Sequence, residues 1–390
     1  MLADTAYRQC SRCVLDTTSI TITFDENGVC NYCHVFEVQL KKFILINDDI
    51  KKQQLDYAVN YIKKVGKYSK YDCILGLSGG VDSSYMAYFA KQLGLRPMTV
   101  HFDNGWNSEY AVQNIEKITS KLGYDLQTYV MDWDEFKDVQ LSYLKASVVD
   151  IEVPTDQLTF AALNRLALKN NIRFILSGYN IVTEFGIPAD WVYKDKSDQT
   201  NLINIHKKFG RKKKLKHLPK FDFYTRFFYK NIAGINTISL LDYINFNKKE
   251  AKQIIEKEFE WKDHGGKHFE SVFTRFYQGY ILPKKFNIDK RKAHLSALIC
   301  SGQIKRDEAL QELMGEPYDI KKKQEDKEFL IKKMELTAEE FENIMKLPRV
   351  EHERYGTEAS NKTYHRLFEL FMFFPVLLLN LFKRAYTKLK

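Results

Sequence analysis

The central part of the chain alternates between short apolar runs and longer segments with helical spacing. Helical periodicity begins at residue 81, shortly after the first apolar run. It is also present in residues 160–169, before the fourth apolar run. The apolar runs are residues 72–77, 98–102, 126–130 and 173–176. Because strands that alternate with helices form parallel sheets, the pattern predicts an α/β fold with a doubly wound parallel sheet.

The pattern changes on both sides of this alternating segment. Residues 35–65 are charged and aliphatic without proline or glycine, and from residue 242 the spacing is helical again. We therefore predict five parts in chain order: a cysteine-containing module (1–36), a helical linker (37–68), the α/β domain (69–241), a helical substrate or partner region (242–346), and a tether with an apolar C-terminal helix (347–390).

The last apolar segment, residues 367–382, is hydrophobic on nearly every face of a helix. It is shorter than the ~20 residues that cross a bilayer, and four cations follow it: Lys383, Arg384, Lys388 and Lys390. We expect this tail to contact the inner face of the cytoplasmic membrane peripherally. The alternative of a helix buried in the core or in an interface stays open.

The composition is that of a globular protein with an excess of basic residues. The 390 residues are 44% hydrophobic, and the formal net charge is +10. A moderate positive excess suits a protein that handles polyanions. The polar N-terminus shows no signal-peptide pattern, so we expect a cytoplasmic protein.

Residues 207–220 form a dense basic run, KKFGRKKKLKHLPK, which an aromatic-rich segment follows. The pattern allows three interpretations: a solvated mobile loop, a surface for single-stranded nucleic acid, or a contact with an anionic membrane. Composition alone does not choose among them.

Two Cys-x-x-Cys pairs near the N-terminus have the spacing of a four-thiolate zinc site. Between the pairs, Ile20, Ile22 and Phe24 alternate and Asn27 precedes Gly28, which predicts a hairpin. Four thiolates complete a tetrahedron, so the predicted zinc is structural, and a redox dithiol is the rival interpretation. The ligands would be Cys10, Cys13, Cys30 and Cys33.

The sequence SGGVDSS connects the first apolar run to a helix. A strand, a glycine turn and a helix in this order aim backbone N–H groups and the positive helix end at one point, which favours bound phosphate. The Gly-Lys-Ser/Thr ending of a Walker A loop is missing. The candidate phosphate and magnesium groups are Ser78, Gly79, Gly80, Asp82, Ser83 and Ser84.

Two further polar turns follow strands of the predicted sheet. One is residues 103–106, which begins with Asp103, and the other is residues 177–184, which contains Gly178. Ligands of doubly wound sheets bind beyond the carboxyl ends of the strands, so all three turns are expected at one site.

A second concentration of cations lies between residues 261 and 319. Such clusters suit a substrate with phosphates or a carboxylate, although a charged helical surface would look the same. The cluster comprises His264, Lys267, His268, Arg275, Lys284, Lys285, Lys290, Arg291 and His294.

These motifs resemble those of known families. SGGVDSS resembles the pyrophosphate loop of the ATP pyrophosphatases, the PP-loop superfamily. Together with the cysteine module, HFDNGW and the segment GGKHFESVFTRFYQGYILPKKFNIDKRKAHLSALI, it is similar to the N-acetyl sugar amidotransferases of bacterial surface-polysaccharide synthesis. The resemblance covers residues 7–320 and leaves out the basic run and the tail.

The resemblance implies an ATP-dependent conversion of a sugar acetamido group to an acetamidino group through an adenylate, with Mg²⁺ as cofactor and a nucleotide-linked N-acetyl sugar as substrate. Asp82 and Ser83 would act at the pyrophosphate loop. Lys267, Lys290 and Arg291, with Lys285, would neutralise the substrate or the leaving phosphates.

The source of ammonia is expected to be another protein. Residue 2 is Leu, Cys73 lies in a predicted buried strand, and Cys300 lacks the glycine pattern of a nucleophile elbow, so no glutaminase is visible. The resemblance implies a separate glutamine amidotransferase and an ammonia-channelling barrel. The rival functions are a tRNA-thiolating PP-loop enzyme, which needs more cysteines, and a non-catalytic nucleotide-binding scaffold; a nucleic-acid partner is not expected.

Overall fold

The computed structural model describes residues 7–360 of the chain. The predicted apolar helix at 367–382 and the cations after it lie outside these residues. Within residues 7–360, no helix is both long enough and apolar enough to cross a membrane.

A five-stranded sheet stands at the centre of the fold. Its strands are β1 (Cys73–Gly76), β2 (Pro97–Asp103), β3 (Leu126–Val130), β4 (Phe174–Leu176) and β5 (Asn236–Ile238). They lie in the order β3-β2-β1-β4-β5, and every neighbouring pair is parallel. The predicted α/β class with a parallel sheet is confirmed, and β5 is a strand that the sequence pattern did not predict.

Helices connect and cover the strands. They are α1 (Asn31–Gln39), α2 (Asp48–Gly66), α3 (Val81–Gln92), α4 (Glu109–Leu122), α5 (Trp133–Ala146), α6 (Val153–Lys169), α7 (Ile181–Glu184), α8 (Gln199–Phe209), α9 (Phe223–Phe227), α10 (Lys248–Phe259), α11 (Val272–Phe276), α12 (Leu282–Phe286), α13 (Arg291–Cys300), α14 (Arg306–Met314), α15 (Ile320–Lys333) and α16 (Ala338–Lys346). Short π-helical turns extend α1, α9 and α11.

Alternate side chains of the central strand face opposite layers of helices. Cys73 and Leu75 of β1 belong to the core that contains α2, α3, α4 and α10. Ile74 belongs to the core that contains α6. Because successive strand side chains point to opposite faces, both faces of the sheet are buried at β1, as a doubly wound parallel sheet requires of its central strands, while the edge strand β3 is largely exposed.

The N-terminal module has less regular structure than the sequence pattern predicts. The expected hairpin is reduced to one antiparallel bridge between Phe24 and Cys30. Its first arm turns away because the Ser19 and Thr21 hydroxyls donate to Asp190 Oδ1, at 2.6 and 2.7 Å. Ile20 is consequently exposed instead of lying on a buried face.

The cysteine module packs against α13 and α14 of the helical C-terminal region. The Val14 amide donates to Ser296 Oγ at 3.2 Å, and Lys292 forms an ion pair with Asp16 at 2.5 Å. The Arg306 guanidinium donates to the carbonyl oxygens of Cys10 and Cys13. The module is therefore joined to the region that follows the α/β domain.

Residues 349–360, the described part of the predicted tether, lie along α8. Asn201 donates to the carbonyl oxygens of His352 and Gly356, and Asn204 donates to that of Tyr355. Glu358 forms a 2.5 Å ion pair with Arg226 of α9. These contacts fix the last described residues beside α8 and α9.

Candidate active site

The glycine loop lies between β1 and the N-terminus of α3. Gly79 has φ +83°, and a Cβ there would stand 2.7 Å from the Ala111 carbonyl oxygen, so only glycine fits. The hydroxyls of Ser78 and Ser83 are 3.1 Å apart, and the Ser78 amide donates to Ser83 Oγ. The loop therefore presents two hydroxyls together with the positive end of a twelve-residue helix.

Side chains from outside the loop hold the Gly79 peptide in place. Its carbonyl oxygen accepts hydrogen bonds from Trp261 Nε1 at 2.8 Å and from the His264 ring at 2.9 Å, and Asn114 Nδ2 lies 3.4 Å away. Two of these donors come from the segment after α10. The helical region thus fixes the loop conformation before a ligand arrives.

The turn after β4 passes directly against the start of α3. A Cβ added to Gly178 would stand 2.9 Å from the Ser83 amide nitrogen. Gly178 therefore allows the two turns to meet, which agrees with their expected common location. In the third turn Asn104 lines the smaller of the two cavities described below, whereas the predicted Asp103 lines neither, and its Oδ1 accepts from the Gly105 amide and from Asn107 Nδ2.

Two neighbouring cavities open on either side of the loop. The larger one measures about 770 Å³ and the smaller one about 340 Å³. Five residues line both cavities: Ser78, Ser83, Gly178, His268 and Glu270. These shared residues mark the boundary across which a bound molecule can extend from one cavity to the other.

The larger cavity is lined by charges of both signs. Lys267 Nζ lies 2.9 Å from Glu184 Oε1 and 4.0 Å from Asp82 Oδ2, and it donates to the Thr183 carbonyl oxygen. Burial opposes ionisation of Glu184, but Lys267 and His268 lower its pKa to about 2. The cations lining this cavity include Lys248, Lys252, Lys267, Lys290 and Arg291.

The smaller cavity lies at the carboxyl ends of the strands and against α6. Its wall includes His101 and Phe102 at the end of β2, with Thr155 and Thr159 from α6. Glu152 Oε1 is buried there without a hydrogen-bond partner, while Thr274 donates to its other oxygen. Burial and then the Asp156 charge raise the pKa of Glu152 to about 7.

Comparison with known proteins places both halves of this site. Residues 72–171 match the family model described as queuosine biosynthesis protein QueC, which begins beside β1 and includes the whole glycine loop. Residues 270–369 match the model described as LPS biosynthesis protein WbpG-like, C-terminal domain. Together the two matches support a PP-loop ATP pyrophosphatase family for this chain.

Individual relatives resemble only part of the chain. A tRNA(Ile)-lysidine synthase from Chlamydia pneumoniae is 32% identical over 99 residues, which are 25% of this chain and 28% of that protein. The chain thus spans less than a third of this curated relative.

Two solved structures resemble the chain weakly. An NH3-dependent NAD synthetase from Campylobacter jejuni subsp. jejuni NCTC 11168, in complex with the nitrate ion, has a TM-score of 0.27 and 15% identity, covering 42% of this chain and 76% of its own. An NMN synthetase from Francisella tularensis has a TM-score of 0.28 and 15% identity, covering 55% and 94%. Both TM-scores are below 0.5, so neither resemblance bears on function.

Asp82 is the PP-loop residue whose surroundings fit a cation. Its Oδ1 atom is buried and has no hydrogen-bond partner among the described residues. Burial raises the pKa of Asp82, and Lys267 opposes that rise. An unpartnered carboxylate oxygen beside a phosphate loop suits Mg²⁺, which binds through one or two carboxylates and substrate phosphates.

Ser84 differs from the other predicted loop residues. It is fully buried, its hydroxyl has no hydrogen-bond partner in the described chain, and it lines neither cavity. Its position after Ser83 on α3 turns it into the fold. The sequence could not distinguish the two serines, because they are consecutive residues of the same motif.

The predicted substrate cations separate into two groups. Lys267, Lys290, Arg291 and three histidines line the larger cavity: His264, His268 and His294. Lys285, Lys284 and Arg275 do not: Lys285 donates to the Ile344 and Leu347 carbonyl oxygens, Lys284 donates to Tyr280, and Arg275 pairs with Asp326. The idea that Lys285 neutralises phosphates is therefore corrected, because it caps the C-terminus of α16.

The cations that line the cavity differ in their existing hydrogen bonds and in their pKa, and therefore in how readily they can bind a phosphate. Arg291 already contacts Asp289 and the carbonyl oxygens of Glu312 and Gly315. Burial, and then the charge of Lys196, lower the pKa of Lys290. Burial and Lys267 hold the pKa of His294 well below its usual value, so this imidazole is neutral at neutral pH.

The four cysteine thiols of the N-terminal module converge. All four Sγ atoms lie within 4.8 Å of one another, with 3.9 Å between Cys10 and Cys33 and 3.7 Å between Cys13 and Cys30. A tetrahedron with Zn–S bonds of ~2.3 Å has edges of about 3.8 Å, so the cluster fits zinc. Cys300 Sγ lies 3.6 Å from that of Cys33, outside this set of four.

Several residues at this site were not predicted to belong to it. Glu270 lines both cavities, with its Oε1 atom 3.4 Å from Ser78 Oγ, and Trp261 holds the Gly79 carbonyl oxygen. Lys248 and Glu152 line one cavity each. Glu270 lies inside the segment GGKHFESV quoted above, but its residue type alone did not single it out; the other three lie outside the quoted motifs and far from the loop along the chain.

Proposed function

We propose that the protein is an ATP-dependent amidotransferase that converts the acetamido group of a nucleotide-linked sugar into an acetamidino group. It would release AMP and pyrophosphate and act in LPS O-antigen biosynthesis. One observation carries the proposal. The WbpG-like segment contributes Glu270, Lys290, Arg291 and His294 to the same cavity that the PP-loop lines.

The chemistry follows from the poor reactivity of an amide. The acetamido oxygen attacks the α-phosphorus of ATP, the bond to the β-phosphate oxygen breaks, and pyrophosphate leaves. The product is an O-adenylyl imidate, whose carbon accepts ammonia. AMP then leaves with the former acetamido oxygen, and the nitrogen of ammonia remains in the amidine.

The two cavities match the two halves of this reaction. The smaller cavity, at the ends of β1, β2 and β4, is assigned to the nucleoside, as expected for ligands of doubly wound sheets. The larger cavity, with its lysines, is assigned to pyrophosphate and the sugar nucleotide. The α-phosphorus would then lie near Ser78, Ser83 and Glu270, which line both.

The roles of the loop residues follow from their geometry. The hydroxyls of Ser78 and Ser83, and the Gly80 amide that here donates to Ser78 Oγ at 3.3 Å, would donate to pyrophosphate oxygens. Asp82 would hold Mg²⁺, which supplies charge neutralisation of the phosphates. Because the Gly79 carbonyl is already fixed, little reorganisation is needed when charge develops.

The positive residues of the cavity would stabilise the leaving group. Lys267 is held by Glu184, and Lys290 and Arg291 line the cavity from the WbpG-like segment. Phosphate charge entering this cavity would favour the protonated form of Lys290. We therefore propose that Lys267, Lys290 and Arg291 stabilise charge in the transition state.

Ammonia would come from a partner. All six cysteines lie within the described residues, and none lines either of the two large cavities. Cys73 is buried in β1, and the others belong to or border the zinc cluster. We propose a separate glutaminase and an ammonia-channelling subunit as partners. The same placement disfavours sulfur transfer to tRNA, which requires a reachable thiol.

The proposal is tested by supplying ATP, Mg²⁺ and ammonium together with a nucleotide-linked N-acetyl sugar, with tRNA, or with neither. AMP is expected only with the sugar, and mass spectrometry should show a product in which NH replaces O. AMP formation with tRNA alone would assign the protein to tRNA modification. ATP binding without turnover in every mixture, including those with candidate sugars from several classes, would favour a scaffold.

A further inference from the structure

The basic run carries a dense array of exposed cations. Every Lys and Arg side chain between residues 207 and 220 is exposed. Within residues 7–360 they make one ion pair, a 4.0 Å contact between Lys212 Nζ and Asp134. The exposed cations are Lys207, Lys208, Arg211, Lys212, Lys213, Lys214, Lys216 and Lys220.

The backbone of this run is fixed by two carboxylates of α5. Glu135 accepts hydrogen bonds from three amides, those of residues 216–218. Asp138 accepts from the amides of Arg211 and Lys212 and from the His206 ring. The carboxylates therefore hold backbone N–H groups and leave most lysine charges uncompensated. The interpretation of a freely mobile loop does not agree with this anchoring.

An exposed apolar stripe lies next to the run in sequence. Tyr224, Phe228 and Ile232 have exposed fractions of 56%, 41% and 68%. They are spaced four residues apart along α9 and its π-helical extension, so they lie near one side of this short helical segment. Exposed cations and exposed large apolar side chains thus follow one another within residues 207–232.

The chain leaves its described part beside this segment. Arg226 of α9 forms the ion pair with Glu358, two residues before the described part ends at Ser360. The sequence from that point contains the apolar stretch 367–382 and then four cations. The sequence after Ser360 therefore combines apolar and basic residues, as residues 207–232 do.

We propose that residues 207–232, here called the docking surface, bind the protein to an anionic lipid bilayer. Lysines attract anionic headgroups, and exposed aromatic and aliphatic side chains enter the boundary between headgroups and acyl chains. Single-stranded nucleic acid is the weaker fit, because Ile232, the most exposed member of the stripe, has no ring on which a base could stack. The proposal does not depend on the sugar chemistry proposed above.

Flotation of the full-length protein with vesicles tests this proposal. The protein should float with phosphatidylglycerol–phosphatidylcholine vesicles, should float less at high salt, and should not float with phosphatidylcholine alone. K213Q/K214Q/K220Q removes three exposed charges. At about 1 kcal/mol per lysine near the surface, binding should weaken by roughly 100-fold.

A matched variant separates this surface from general charge. K52Q/K64Q/K67Q removes three exposed charges from and just after α2 and should bind as the wild type does. Y224S/I232S should weaken binding with no change in charge. Equal vesicle binding by the two triple variants would overturn the proposal, because it would show that binding does not need the lysines of the docking surface. Binding of single-stranded RNA without vesicle binding would overturn it in favour of nucleic acid.

Discussion

At the scale of single residues, Asp82 and Ser84 provide the sharpest contrast in the PP-loop. They are two positions apart, but Asp82 lines the larger cavity with an unpartnered oxygen, whereas Ser84 is turned into the fold. Asp82→Asn should lower the rate of AMP formation at least ~100-fold, because the loop loses the charge proposed to hold Mg²⁺. Ser84→Ala should retain activity within about threefold, because its hydroxyl reaches no ligand.

These two variants are compared by AMP release at saturating ATP and by circular dichroism for the fold. Equal losses in both variants, with both folded, would mean that the loop does not present its residues as described.

Glu152 gives the folded protein a specific dependence on pH. Its pKa is raised from 4.5 to about 7, so over that interval the folded state keeps a proton that the unfolded state has released. Its stabilising contribution is complete below 4.5 and is lost as pH rises through 7. Glu152→Gln should therefore become more stable than the wild type as pH rises from about 5 to about 8, by at most about 3 kcal/mol.

Urea unfolding of both proteins across this pH range measures the difference. Two stability curves that stay parallel would show that Glu152 does not titrate in this interval.

The residues that the sequence predicts well are those whose type alone suits them to a task. The cysteine pairs and the loop glycines have few other reasons to occur at such spacing. Glu270, Trp261 and Glu152 carry no such mark, because their roles arise only when distant segments pack together. Lys285 is a residue whose type misleads. Its charge predicted a role in neutralising phosphates, but its ammonium group donates to carbonyl oxygens at the end of α16.

At the scale of elements, the meeting of the β4 turn with the start of α3 depends on one missing side chain. Gly178→Ala would place a Cβ 2.9 Å from the Ser83 amide, against backbone that cannot move aside cheaply. The loop should shift, and the apparent affinity for ATP should fall by about tenfold or more. Isothermal titration with a non-hydrolysable ATP analogue measures this loss.

Gly315→Ala is the matched control for this element. A Cβ there would stand 3.6 Å from the nearest heavy atom, an ordinary contact, and Gly315 has φ −81°. It should bind the analogue as the wild type does. Unchanged affinity in Gly178→Ala would contradict the close meeting of the two turns.

Elements with regular periodicity could be predicted, and elements that depend on side-chain anchors could not. The alternating pattern indicates β1, β2 and β4 because buried parallel strands are rich in apolar residues, whereas β3 at the sheet edge is largely exposed. The hairpin between the cysteine pairs fails because Asp190, more than 150 residues away, draws the hydroxyls of Ser19 and Thr21 out of register. The sequence does not predict the anchoring of the basic run either, because Glu135 and Asp138 are about 70–80 residues away along the chain.

At the scale of the whole molecule, the cysteine module joins the N-terminus to the WbpG-like region. It is too small to form a core of its own, so we expect one tightly bound zinc per chain to hold it together. Cys10→Ser should lower the melting temperature by several degrees. It should lower the turnover of the surviving folded enzyme much less, because the cluster lines neither cavity.

Metal analysis and calorimetry of the same preparation test this expectation. Freshly purified protein without zinc, or with a disulfide among these four cysteines, would contradict it. Loss of turnover in Cys10→Ser without loss of stability would instead assign the cluster to the chemistry.

The central claim is that the acetamido oxygen attacks the α-phosphorus of ATP, and the fate of that oxygen tests it most directly. A nucleotide-linked sugar with ¹⁸O in its acetyl carbonyl is incubated with the protein, ATP, Mg²⁺ and ammonium, and AMP is examined by mass spectrometry. The account predicts that each AMP formed carries one ¹⁸O and that pyrophosphate carries none. Unlabelled AMP, or label that appears in inorganic phosphate or stays in the sugar product, would contradict it.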